Sequence, residues 1–83
     1  MLENYKYSDL TRRIIQQAYY VYNKLGYGFL EKIYERALLK KLGDIDLIAH
    51  NQMPIQVYFE KLLIGDFAAD ILVEKRVIVE LKS

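Results

Sequence analysis

The chain contains no cysteine, which excludes disulfides and thiolate metal sites, although that absence does not report the redox compartment. It has a single histidine, His50, placed before Gln52 where a loop is expected to enter the first strand. With no second histidine or cysteine beside it, His50 reads as a surface residue rather than a ligand or general base. No apolar run approaches membrane-spanning length, and Met1-Leu2-Glu3-Asn4-Tyr5-Lys6-Tyr7-Ser8 lacks the basic and apolar regions of a signal peptide. A cytoplasmic location with no membrane partner is the resulting expectation. Long runs of like charge are also missing. Arg12-Arg13, Lys40-Lys41 and Lys75-Arg76 are too short to form a basic patch, and a net charge of +1 exerts no general pull on nucleic acid. The chain shows no linker, repeat or low-complexity stretch.

What remains is 83 residues, 53% apolar and 28% charged, the composition of one small domain with enough apolar side chains for a core. A domain of this size buries only roughly 60 to 65% of its unfolded surface and has little stability to spare. Ser8 or Asp9 is placed to cap a helix whose apolar residues Leu10, Ile14, Ala18, Val21 and Leu25 fall on one stripe, with Gly26 as its stop. A second helix is expected from Phe29 to Leu42, with Gly43 as its C-terminal signal. Beyond Gly43 the period changes. Ile55, Val57 and Phe59 alternate with Gln56, Tyr58 and Glu60, and further strands follow over Ile64 to Val73 and Val77 to Lys82. The expected fold is α+β: two N-terminal helices packed on a three-stranded, mainly antiparallel sheet.

Strand parity yields a finer expectation. Phe67, Ala69, Ile71 and Val73 share one face of their strand, and Val77, Val79 and Leu81 share one face of the next. Both sets reach the same side of the sheet only in an even register, which requires a three-residue or bulged turn at Glu74, Lys75 and Arg76. With Val73 opposite Val77, Asp70 falls across from Glu80, and Lys82 joins them on the outer face. Facing carboxylates about 5 Å apart repel by about 3 kcal/mol at an effective dielectric of about 20, so a cation is expected nearby. Two readings stand. Asp70, Glu80 and Lys82 hold a divalent metal and orient a water, or they are solvated polar residues on the outer face of a half-buried sheet, the commoner fate of such residues.

Glu31 is the misfit of the second helix. At about 100° per residue it flanks the apolar arc of Leu30, Ile33, Tyr34, Ala37 and Leu38. A carboxylate at the edge of a core wants a partner. It reads either as a first-turn glutamate favoured by the helix dipole or as a third acidic ligand reaching the sheet.

The run Leu25-Gly26-Tyr27-Gly28-Phe29-Leu30-Glu31-Lys32-Ile33-Tyr34-Glu35-Arg36-Ala37-Leu38 closely resembles the signature of the GxxExxY protein family, with Gly28, Glu31 and Tyr34 as its named positions. The likeness continues through Gln52-Met53-Pro54-Ile55, the Gly65 turn, Ala69-Asp70-Ile71-Leu72-Val73 and Val77-Ile78-Val79-Glu80-Leu81-Lys82. That family belongs to the PD-(D/E)XK nuclease-like superfamily, a restriction-endonuclease-like core of helix, three strands, helix and strand. The resemblance implies a metal-dependent phosphodiesterase acting on nucleic acid. Asp70 and Glu80 would bind Mg2+ or Mn2+, Lys82 would orient the attacking water or stabilise phosphate charge, and Glu31 would be an auxiliary acid and third ligand. Gln52 resembles a family position, suited to substrate contact or to satisfying backbone groups at the sheet edge. Tyr34 is expected in the core with its hydroxyl on a polar partner.

Two departures from the family accompany the resemblance. Glu60-Lys61 stands where a Lys-Gly turn is usual, so that turn is expected to differ or lengthen. Family members usually continue with another helix and strand, whereas nothing follows Ser83, so residues 1–83 are expected to form one C-terminally short domain. An uncovered strand edge, together with Ala68, Leu72 and Ile78 on the outer face, predicts a homodimer. The alternative function is a non-catalytic, nuclease-derived dimerisation or interaction module.

Overall fold

The structure is a computed structural model that describes residues 7–82, so the first residues of the N-terminal lead-in and Ser83 lie outside the described residues. Two helices, α1 (Ser8–Leu25) and α2 (Glu31–Asp44), precede three strands, β1 (Ala49–Phe59), β2 (Leu62–Val73) and β3 (Val77–Val79). The strands lie side by side in chain order and both neighbouring pairs are antiparallel. This is the expected α+β arrangement. Among the described residues no helix is long and apolar enough to cross a membrane.

The stripe on α1 is real: Ile14 and Val21 are buried, and Leu10, Ala18 and Leu25 pack against the same core. Its ends differ from expectation at one side. Ser8 and Asp9 lie inside the helix, and Tyr7 caps it through its carbonyl, which accepts the Thr11 N–H at 2.9 Å, with no side-chain cap. Asp9 instead pairs with Arg12 one turn on, where a negative charge suits the positive end of the helix. At the far end Gly26 takes φ 76° and its N–H returns to the Tyr22 carbonyl, the left-handed stop that glycine permits.

Helix α2 starts and ends two residues later than the pattern predicted, and Gly43 is a helical residue. The reversal is made by Asp46 at φ 64°, while the amides of Ile45 and Leu47 both return to the Leu42 carbonyl at 3.2 and 3.0 Å. Aspartate tolerates this conformation better than most residues, so a glycine is not required there. The turn also drops Leu47 into the core.

In the sheet, Ile71 pairs with Val79, Leu72 with Ile78 and Val73 with Val77, the even register that parity demanded. Glu74, Lys75 and Arg76 form the three-residue connection, with Glu74 and Lys75 left-handed and the Arg76 N–H on the Val73 carbonyl at 2.9 Å. Glu74 also ties this turn to the chain entering β1. Its N–H donates to the Ile48 carbonyl at 2.7 Å, and its carboxylate accepts the Ile48 N–H at 2.5 Å. Strand β1 begins at Ala49, so His50 lies within it, exposed, rather than in a preceding loop.

Leu38, Leu42, Ile71 and Val73 are fully buried, each worth roughly 1.5 to 3 kcal/mol of transfer free energy. Val77, Val79 and Leu81 complete the same face as partly buried neighbours. The β1–β2 hairpin runs on past the helices. Its turn, Glu60-Lys61, stays at two residues because both adopt positive φ, 48° and 70°, so it does not lengthen. A register shift after Val57 makes Ile64 an extra residue, and around it Tyr58, Phe59, Leu62 and Ile64 remain exposed. On the outer face Ala68 and Ile78 are exposed and Leu72 is half-buried.

Candidate functional site

Glu31 occupies the first position of α2 and is exposed, and the buried carboxylate is Glu35, one turn further in. The angular reading was sound. Glu31 precedes the buried Leu38 by almost two full turns and shares its side of the helix. Depth along the axis is what differs, because Leu30 is the cap rather than a core residue and the cover begins at Tyr34. Glu31 therefore stands at the open end of the buried face.

Glu35 is held from three directions. Asn51 donates to Oε2 at 3.0 Å, Gln52 donates to Oε1 at 2.9 Å, and the Lys32 ammonium lies 3.3 Å from Oε2. Two consecutive strand residues reach one carboxylate because Gln52 has φ 51°, which breaks the strand alternation and swings its amide to the helix side. Burial pushes the Glu35 carboxyl up, but the two amides and Lys32 together outweigh it and hold the group below the usual carboxylate range. Gln52 is thus committed to Glu35 in this arrangement. Nothing in the periodicity flagged Glu35, although its spacing of four residues from Glu31 was a signal that one of the two had to lie deeper.

Tyr34 is buried, and its hydroxyl donates to the Gly26 carbonyl, tying the motif helix to the end of α1. Its ring stacks on Tyr22 with centroids 4.6 Å apart and meets the edge of Phe29 at 6.2 Å. Gly28 takes φ 95°, a conformation that a side chain would strain, so the glycine of the motif shapes the loop that leads into Glu31.

Asp70 is half-buried, and its Oδ2 accepts the Leu81 N–H at 2.7 Å. The ladder of β3 ends at Val79, and the Asp70 carboxylate continues the attachment one turn of the pleat further on. Glu80, which is exposed, follows Val79, the last paired residue of β3, so only a continuation of the same register would set it opposite Asp70. The partner that Asp70 takes is thus a backbone amide rather than the cation that the sequence predicts. Lys82 does not join Asp70 and Glu80 on the outer face as parity predicts: β3 ends at Val79, alternation lapses beyond it, and Lys82 reaches the helix side, where it lines a cleft of about 400 Å³ with Tyr22, Tyr27, Gly28, Phe29 and Tyr34. Two segments far apart in the sequence meet there: the loop that opens α2 at Glu31 and the segment that follows β3.

Among the described residues, no three His, Asp or Glu side chains are gathered closely enough to hold a metal ion by themselves. Asp70 and Glu80 offer two carboxylates, and Mg2+ is commonly held by one or two carboxylates with waters and substrate phosphate completing the shell. The donor set therefore suits such an ion in the presence of a phosphate.

No curated protein and no solved structure matches the chain. A family model described as PD-(D/E)XK nuclease superfamily matches residues 8–83, nearly the whole length. That match, over a core of two helices and three strands, shows that the chain belongs to the PD-(D/E)XK nuclease superfamily.

Proposed function

We propose that this chain is a nuclease-like domain of the GxxExxY type that hydrolyses phosphodiester bonds in nucleic acid, with Asp70 and Glu80 holding Mg2+ or Mn2+. The single observation that carries the reading is the attachment of the Glu80–Lys82 segment to Asp70 through the Leu81 N–H at 2.7 Å. It supports the reading by tying the segment that carries Glu80 and Lys82 to the strand that carries Asp70. An ion bound there would neutralise phosphate charge and make a bound water more acidic.

The chain's own residues supply the rest. Hydrolysis joins a water oxygen to phosphorus and breaks the bond to one ester oxygen, so negative charge grows on the phosphate as the reaction proceeds. Lys82 brings a cation to that charge or orients the water, and needs no covalent step to do so. Glu31, exposed at the first position of α2, two residues after the Phe29 that lines the Lys82 cleft, serves as the auxiliary acid that accepts a hydrogen bond from the water.

The test is a manganese titration followed by backbone NMR, comparing the native chain with Asp70→Asn. Asparagine keeps an acceptor oxygen for the Leu81 N–H, so the fold is retained while a ligand charge is removed. Broadening localised around Asp70 and Glu80 that disappears in the variant supports the reading. Broadening that is absent, or diffuse and unchanged by the substitution, ends it.

A second reading, a non-catalytic module that self-associates as a homodimer, is favoured by the uncovered hairpin. Phe59 and Leu62 lie opposite one another at its tip and are 61% and 66% exposed. Contiguous apolar surface of this kind is a common basis for association between copies.

A further inference from the structure

Tyr27 sits between two left-handed glycines, Gly26 at φ 76° and Gly28 at φ 95°, and is fully exposed. Its ring supports no part of the core. Two clefts adjoin it. One, of about 400 Å³, is lined by Tyr22, Tyr27, Phe29, Tyr34 and Lys82, and the other, of about 260 Å³, by Tyr22, Asn23, Gly26 and Tyr27. Tyr22 and Tyr27 thus form walls common to both.

We propose that these two clefts receive two successive unstacked bases of a single-stranded nucleic acid, one on each side of Tyr27. The inference rests on the nuclease-like reading for its class of substrate, and the recognition chemistry is set out by the residues themselves. Aromatic rings bind bases through their π-faces, which are available in a single strand and covered in a duplex. The walls are set in advance: Tyr22 is stacked on Tyr34 at 4.6 Å, and Tyr34 is anchored by its hydroxyl to the Gly26 carbonyl. The Tyr22 wall therefore needs little ordering on binding, and Tyr27, which is fully exposed, is the side chain that settles onto the bases. Lys82 in the larger cleft supplies a cation for the phosphate that accompanies the base. Asn23 in the smaller one supplies an amide that both donates and accepts, as a base edge requires.

The composition adds a constraint. With a net charge of +1, affinity must come from stacking more than from counterion release, so binding falls only shallowly with salt.

The experiment is fluorescence anisotropy with a fluorescein-labelled oligothymidylate and with a duplex of the same length, both in EDTA so that no divalent ion contributes. Single strand should bind at least tenfold more tightly than duplex. Tyr27→Ala should weaken single-strand binding by about five- to a hundredfold, the span expected for one base–aromatic stack, and Tyr27→Phe should restore it. Because Tyr27 is fully exposed, neither change threatens folding. Equal affinity for single strand and duplex, or no effect of Tyr27→Ala, overturns the proposal. So does a change in sedimentation of the free protein on Tyr27→Ala, which would make a second copy the occupant. The manganese titration of the native chain separates this inference from the metal reading: a manganese response without single-strand binding in EDTA overturns this proposal alone, and single-strand binding in EDTA without a manganese response overturns the metal reading alone.

Discussion

Replacing Glu35 tests how much of this small domain depends on one buried carboxylate. Glu35 is 3% exposed and receives Asn51, Gln52 and Lys32. Hydrogen bonds to a charged group are worth about 1.5 to 3 kcal/mol each, but Asn51, Gln52 and Lys32 are themselves exposed and regain water when the carboxylate is removed. The expected cost of Glu35→Ala is therefore about 2 to 3 kcal/mol, well below the sum of three bonds. Against a total of roughly 4 to 12 kcal/mol for a chain of this length, that is a large fraction. With a urea dependence of about 1 kcal/mol per molar, the unfolding midpoint should fall by about 2 M. Glu35→Gln is the sharper variant, because it keeps the volume but turns one acceptor into a donor that faces the amides of its partners. Its penalty should also depend on pH with a definite sign. The folded carboxyl is held below its unfolded range, so its stabilisation is complete above about pH 4.3 and disappears as pH falls through the lower folded value. The stability gap between the native chain and Glu35→Gln, measured by urea unfolding with circular dichroism, should be widest at pH 7 and should narrow below about pH 4. A gap that stays constant from pH 7 to pH 3, or a midpoint shift for Glu35→Ala under about 0.5 M, would refute the argument.

Two further outcomes are expected. Glu60 and Lys61 hold positive φ at 48° and 70° in a two-residue turn, so replacing them by Asn-Gly should raise stability by about 0.5 to 1.5 kcal/mol, the left-handed strain relieved less the entropy glycine adds. Thermal unfolding should shift upward by several degrees, and a lower midpoint would show that the side chains themselves support the turn. Phe59→Lys combined with Leu62→Glu adds opposite charges to facing positions at the hairpin tip, where neither side chain is in the core. Sedimentation should then show a monomer at every concentration with an unchanged melting temperature, and a native chain that is already monomeric throughout would remove the self-association reading.

Several features were legible in the residues because they depend on period and parity alone. The stripe of α1, the even register of β2 with β3 and the three-residue turn between them all follow from where apolar side chains must point. Alternation did not carry as far as Lys82, because β3 ends at Val79 and Lys82 turns to the helix side instead of following the outer face. Periodicity reports angle and not depth, and there the reading stopped. Glu31 and Glu35 have neighbouring faces on α2, and only the packing of α1 and the sheet along its length buries the second and leaves the first open. The left-handed backbone at Gln52, which brings two consecutive amides to Glu35, is not announced by the alternation of β1. Likewise the cleft that joins Tyr22, Tyr27 and Lys82 brings the end of α1 and the loop after it together with the segment that follows β3. What the sequence determined by itself was the set of elements, their faces and the order of the chemistry along them. Which acid is buried and which aromatic rings surround Lys82 were decided by tertiary packing, because burial and proximity belong to pairs of elements and not to either one alone.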